Sequence, residues 1–175
     1  MTDQTVMIVD AYNIMHADVE LESLMDKDLG AARESLIAEL TDYCAREGQP
    51  LELVFDAGGR PGGISTEKRT TYLTITYTAR GESADDYIER LIYKGHRPLA
   101  SATVVTGDYA QQRIAQGAGV LRMAPREFLA KLQESREELR EQIAPADRKR
   151  KKARLSDRLP AETVAALERL RKQQK

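Results

Sequence analysis

Four aspartates stand at or just beyond the ends of short apolar runs. Val6-Met7-Ile8-Val9 ends on Asp10, and Leu51-Glu52-Leu53-Val54-Phe55 ends on Asp56. The run 73–78 leads through Gly81-Glu82-Ser83-Ala84 to Asp85, and the run 102–106 leads through Gly107 to Asp108. If these runs are parallel strands of one sheet, the four carboxylates share its C-terminal edge, where open α/β sheets bind their ligands. Carboxylates gathered in one crevice repel each other unless a cation neutralises them. The spacing therefore predicts a divalent-metal site. Mg2+ fits it, because it takes oxygen ligands from one or two carboxylates and completes its shell with water and substrate phosphate. No cluster of softer ligands competes. His16 and His96 lie far apart, with His16 in the loop after Asp10 and able to overhang the site, and Cys44 is the lone cysteine. A single cysteine supports neither a disulfide framework nor a zinc site and reads as a small buried hydrophobe.

Each aspartate also has a plainer reading. Asp56 could close its strand in an Asx-turn, and Asp108 could cap a helix. Asp10 is expected to face the crevice, since no capping pattern clearly follows it. Asp85 and Asp86 separate by helical phase: Asp85 shares a face with Ile88 and Ile92, and Asp86 lines up with Glu89, Arg90 and Tyr93. Ser83 with Asp86 three residues on resembles a capping box, so Asp85 is the ligand candidate and Asp86 the cap. Glu82, just before this helix, is a further candidate ligand or water-positioning group.

The elements that must hold these residues alternate strand and helix, which predicts a parallel sheet with helices on both faces. Strands are expected over 6–10, 51–56, 71–78 and 102–106, the third at a sheet edge, with a short strand over 120–123. A helix is expected over 30–46, where Ala32, Leu36, Ile37, Leu40, Tyr43 and Cys44 recur at three- and four-residue spacing and Gly48 closes the run. Residues 57–63 hold four glycines and a proline and read as a mobile loop. Further helices are expected from Ser83, over 108–116, over 125–143 with Pro145 as the stop, and over 160–171.

Composition excludes several classes. The chain has 175 residues, 41% hydrophobic and 31% charged, with a mean hydropathy of -0.53. No apolar stretch nears the roughly 20 residues of a membrane span, and the opening Met-Thr-Asp-Gln-Thr lacks a signal-peptide pattern. A cytoplasmic protein with no membrane partner is expected. The net charge of -1 conceals an asymmetry: residues 145–175 carry 11 Lys+Arg against 4 Asp+Glu, a net of +7, and the other 144 carry 16 against 24, a net of -8. This suggests a domain over 1–144 and a basic helical extension over 145–175, the latter a phosphate-binding element or a solvated run.

The segment Asp10-Ala11-Tyr12-Asn13 resembles the D-(G/A)-x-N opening of the NYN domain family, within the PIN-like nucleases. Three more blocks follow in that family's order: Val54-Phe55-Asp56-Ala57, Glu82-Ser83-Ala84-Asp85-Asp86-Tyr87-Ile88 and Thr106-Gly107-Asp108-Tyr109-Ala110-Gln111-Gln112. Together, over about residues 6–140, they look most like the bacterial YacP-like branch, ribosome-associated endoribonucleases that cut mRNA. The resemblance implies a PIN-like three-layer α/β/α domain with a central, mostly parallel sheet, and a helical basic C-terminal extension. It also implies Mg2+ or Mn2+ dependence and endonucleolytic RNA cleavage leaving 5′-phosphate and 3′-hydroxyl ends. It places the catalytic acids at Asp10, Asp85 and Asp108, with Asn13 bonded to a metal ligand or substrate phosphate and Asp56 as a further metal neighbour. Gly107 departs from the pattern, which leads one to expect serine there, and 57–69 matches only loosely.

Tyr12 and Tyr109 flank the acids and could stack on unpaired bases or pack in the core. Arg60, Lys68, Arg69 and the run Arg148, Lys149, Arg150, Lys151 and Lys152 are candidate phosphate contacts. Two other classes compete. A haloacid-dehalogenase-like phosphatase would need an aspartate where Tyr12 stands, and a phosphoreceiver domain would need a lysine near Arg122-Met123. The other is a non-catalytic RNA- or ribosome-binding module on the same fold.

Overall fold

The run Val6–Asp10 forms strand β1, and its apolar residues are consumed by both faces of a sheet: Met7 and Val9 join one core, Ile8 the other. A strand covered on both faces loses the apolar–polar alternation and reads as a continuous apolar run. The computed structural model describes residues 5–57, 62–94, 102–107 and 120–156, the side chains of 93–94 and 144–156 excepted.

After β1 come α1 (Ala11–Ala17), α2 (Val19–Met25), α3 (Leu29–Glu47), β2 (Leu51–Phe55), β3 (Ser65–Lys68), β4 (Leu73–Tyr77), α4 (Ala84–Lys94), β5 (Ala102–Val105), β6 (Leu121–Met123) and α5 (Pro125–Ser156). The sheet has six strands in the order β3-β4-β2-β1-β5-β6, and every pairing is parallel except β3 with β4. Residues of α1, α2, α3 and the start of α5 close one face, around Ile14, Leu36, Leu40, Phe55, Phe128 and Leu132. Helix α4 closes the other with Tyr87, Ile88 and Ile92 over Ile8, Val54 and Val104. This is the three-layer α/β/α arrangement. β1 lies between β2 and β5 and leads to helices on one face, whereas β4 reaches β5 through α4 on the other. The C-terminal edge between β1 and β5 is therefore the switch point where such sheets bind ligands.

Helix α3 and its stop agree with the periodicity: Gly48 takes a left-handed φ of 61° that favours glycine. Four expectations need correction. The segment after Asp10 is not a loop but two seven-residue helices, each opened by its own aspartate, Asp10 and Asp18. Helices this short show no sustained periodicity. His16 accordingly sits in the last turn of α1, exposed and 3.6 Å from Glu22. β4 is not the edge strand, because Ser65–Lys68 pairs antiparallel beside it. That strand is exposed along its whole length and carries no apolar signal. Finally, α5 runs through Pro145 to Ser156. A proline inside a helix deletes one backbone bond at about 3 kcal/mol; the alanine-, arginine- and lysine-rich sequence around it propagates the helix regardless. By internal contacts the chain divides into two compact units, Met1–Ser135 and Arg136–Lys175.

Cys44 is fully buried in the first core, and burial pushes its thiol up to about 12. The thiolate is the reactive form. We expect a disulfide reagent at pH 8 to leave the native thiol unlabelled and to titrate one thiol per chain only in denaturant, read at 412 nm or by mass.

Candidate active site

Asp10 ends β1 and, contrary to expectation, caps the helix that follows: its Oδ1 accepts the backbone N–H of Asn13 at 3.0 Å. Its Oδ2 accepts the Asn13 side-chain N–H at 2.7 Å. The residue is only 4% exposed. Among the described residues no lysine or arginine pairs with it. The same Asn13 reaches across the switch point, where its Oδ1 accepts the N–H of Gly107 at 3.1 Å, just beyond β5. One carboxamide thus ties the end of β1 to the residue before Asp108. The approach is tight: a Cβ built at 107 would lie 2.7 Å from Asn13 Oδ1, so a larger residue there must shift the carboxamide.

The second block folds as its phase predicts. Ser83 caps α4: its hydroxyl and N–H donate to Asp86 Oδ2 at 2.8 and 3.2 Å, and its Oγ accepts the Asp86 N–H at 3.1 Å. The Ser83 hydroxyl, then its backbone N–H, holds the Asp86 carboxyl below its ordinary range. Asp86 is exposed and Asp85 half-buried, on the side of buried Ile88 and Ile92. Glu82 is engaged elsewhere: Arg90 grips its Oε1 through Nε at 2.9 Å and Nη2 at 2.6 Å while lying 5.1 Å from the Tyr87 ring centroid.

Sequence reasoning missed Thr78. Only 1% exposed, it continues the β2–β4 ladder through its N–H to Phe55 O at 3.0 Å. Its hydroxyl accepts the Ala57 N–H at 3.0 Å and donates to Glu82 O at 2.7 Å. It therefore joins the residue after half-buried Asp56 to the turn that leads into Asp85. The alternation of threonines in β4 was visible, but a hydroxyl bridging two loops leaves no periodic mark.

Of the proposed nucleic-acid contacts, Tyr12 is half-buried against the core, edge-on to Phe55 at 6.2 Å. Lys68 is exposed on β3, and Arg69 pairs with Glu67 at 3.2 Å. Asp108, Tyr109 and Arg60 lie outside the described residues, as do the side chains of Arg148, Lys149, Arg150, Lys151 and Lys152, whose backbone belongs to α5. Among the described residues no three His, Cys, Asp or Glu side chains group closely enough to hold a metal ion. The chemistry of Asp10 fits one nonetheless: among the described residues this buried carboxyl group meets only neutral donors and keeps free lone pairs, and buried acids are paired or metal-bound.

A mostly parallel sheet between helix layers, with acids along its C-terminal edge, has the PIN-like nuclease fold. The chain belongs to the YacP-like NYN domain family, whose model matches residues 7–172. It is similar to YacP of Bacillus subtilis (strain 168), 29% identical over 128 residues that cover 73% of this chain and 75% of that one. It is also similar to the crystal structure of Rae1 (YacP) from Bacillus subtilis, with a TM-score of 0.68 and 25% identity over 97% of this chain and 95% of that one. A single-substitution mutant of Rae1 matches with a TM-score of 0.69 and 25% identity, over 82% of this chain and 84% of that one. The family read from four short blocks is thereby established.

Two substitutions test the bridges. Thr78→Val leaves a buried N–H and C=O unmatched, and we expect about 1–3 kcal/mol of lost stability in urea unfolding, largely restored in Thr78→Ser. Gly107→Ser forces Asn13 Oδ1 away, and a crystal structure should show the 3.1 Å bond to residue 107 broken and the Asp10 carboxylate rotated.

Proposed function

We propose that this chain is a divalent-metal-dependent endoribonuclease that hydrolyses RNA phosphodiester bonds, with mRNA on the ribosome as its substrate. The observation that carries the reading is Asp10: buried to 4% exposure, bonded only by Asn13, and without a cationic partner among the described residues. Family membership supports nuclease chemistry and RNA as substrate. Oxygen ligands alone favour Mg2+ or Mn2+.

Asp10, Asp85 and Asp108 would hold the ion, with Asp56 as its neighbour. Such an ion would supply a bound water of lowered pKa and offset charge on the phosphate. The protein's own part is orientation. Asn13 fixes the Asp10 carboxylate through two bonds and fixes the β5 end through a third. Asp86 holds the cap and Glu82 pairs with Arg90, while Asp85 lies half-buried on the side of Ile88 and Ile92. No covalent nucleophile is needed, because water attacks phosphorus and the 3′-oxygen leaves. The nuclease domain is residues 1–144, and the extension 145–175, with its net charge of +7, attracts RNA phosphates.

Cleavage of a labelled mRNA, with and without ribosomes, in Mg2+, Mn2+ or EDTA tests this. We expect cut products with 5′-phosphate ends that EDTA abolishes. Asp85→Asn should lower cleavage by more than the roughly 10–100-fold typical of outer-shell changes while leaving the fold intact by circular dichroism. RNA binding without cleavage in either metal would favour a non-catalytic module, and full activity of Asp85→Asn would remove that residue from the site.

A further inference from the structure

We propose that Arg33 forms a binding subsite for a substrate phosphate, beside the acids of the candidate site; the inference rests on the ribonuclease reading above. Helix α3 begins at the C-terminal edge of the sheet, since it must run back across the face to start β2 at the other end. Arg33, near its start, meets two residues adjacent to the acids: Tyr12, two after Asp10, and Phe55, one before Asp56. The guanidinium carbon lies 5.7 Å from the ring centroid of each. One terminal N–H donates to the Tyr12 hydroxyl. Phe55 is fully buried and backed by Tyr77, stacked at 5.4 Å, so the platform under Arg33 is rigid.

The anomaly is charge. Arg33 is half-buried, yet among the described residues it makes no ion pair, and its Nε is buried without an acceptor. A helix position that served packing alone would be better filled by leucine or methionine, which leave no donor unmet. Cation–π contacts return part of what burial takes away, but no anion among the described residues compensates the charge. Guanidinium groups match phosphate oxygens with a planar fork, and less entropy is lost when the fork is already fixed. Two rings and a hydroxyl fix this one at the edge where the proposed substrate must lie. Its terminal N–H groups beyond the one given to Tyr12 have no partner among the described residues. Nε is closed to solvent, so an anion from outside meets the terminal N–H groups, and the anion that RNA brings is a backbone phosphate.

The test is binding of a fluorescein-labelled single-stranded RNA oligomer to the full chain in EDTA, measured against salt concentration. Arg33→Met keeps the stem and removes the charge. We expect its plot of log K against log salt to be shallower than wild type by about 0.7, one phosphate contact on a single strand. Arg33→Lys should keep the wild-type slope with weaker binding. In Mn2+, Arg33→Met should raise KM more than it lowers kcat. A lower melting temperature with an unchanged slope would make Arg33 a packing strut and overturn the proposal. Should Arg33→Met not fold, the unmutated protein still decides: the Arg33 side-chain NMR signal, assigned by its loss in Arg33→Lys, should move when the oligomer is added, and a stationary signal overturns the proposal. If wild type binds the oligomer but cuts no RNA in Mg2+ or Mn2+, the nuclease reading fails while the slopes still report on Arg33; if wild type binds no RNA, both fall.

Discussion

Asn13 donates twice to Asp10 and accepts once from Gly107, and these three bonds hold the candidate site in register. They span the gap between β1 and β5, where the chain passes from one face of the sheet to the other. Parallel strands align their ends only to within a residue or so, and the loops beyond them are free to diverge. A side chain bonded to both ends removes that freedom. The constraint reaches back into sequence through Gly107, because any Cβ there would displace the Asn13 oxygen. It reaches into Asp10 as well: with both carboxylate oxygens held from one side, only their remaining lone pairs can face a ligand.

Thr78 repeats the device on the other half of the edge. It joins the β2 end to the turn before α4, so the acids fall into two pairs of segments, each stapled by one polar side chain. The bond from Gly107 to Asn13 is exposed, whereas the Thr78 bonds and those between Asn13 and Asp10 are buried or half-buried. In a low-dielectric setting an unmatched donor or acceptor costs about 1–3 kcal/mol, so an alternative loop arrangement that breaks the buried bonds is disfavoured. The sheet beneath is stiff for an ordinary reason: its central strands are covered on both faces by Ile8, Val9, Leu53, Val54 and Val104.

What could be read in advance follows from these physics. The central strands and α3 announce themselves because burial imposes a period, and helical phase separated Asp85 from Asp86 because the capping box and the buried face are both local. Asp10 was placed at the edge correctly, but its capping was not seen, since α1 is too short to show periodicity. β3 is polar on both sides and owes its existence to pairing with β4, a long-range fact. Thr78 and Arg33 lie in segments whose local pattern explains them fully; only folding shows what they touch. Asp108, the third acid by its sequence block, lies outside the described residues.

Electrostatics bears on any RNA-cleaving reading of this chain. Residues 1–144 carry a net of -8, so a polyanion gains nothing from their summed charge. Yet the Debye length in physiological salt is about 8 Å, shorter than a domain is wide, and what a phosphate feels is the charge within that distance. The Asp10 carboxylate would repel it until a divalent ion reversed the local sign. Near Tyr12 and Phe55 the fixed charge is Arg33, already stripped of part of its water and held in one orientation. On the proposed function the acids would select the metal, the metal and the arginine together would select the phosphate, and the basic extension would raise the encounter rate.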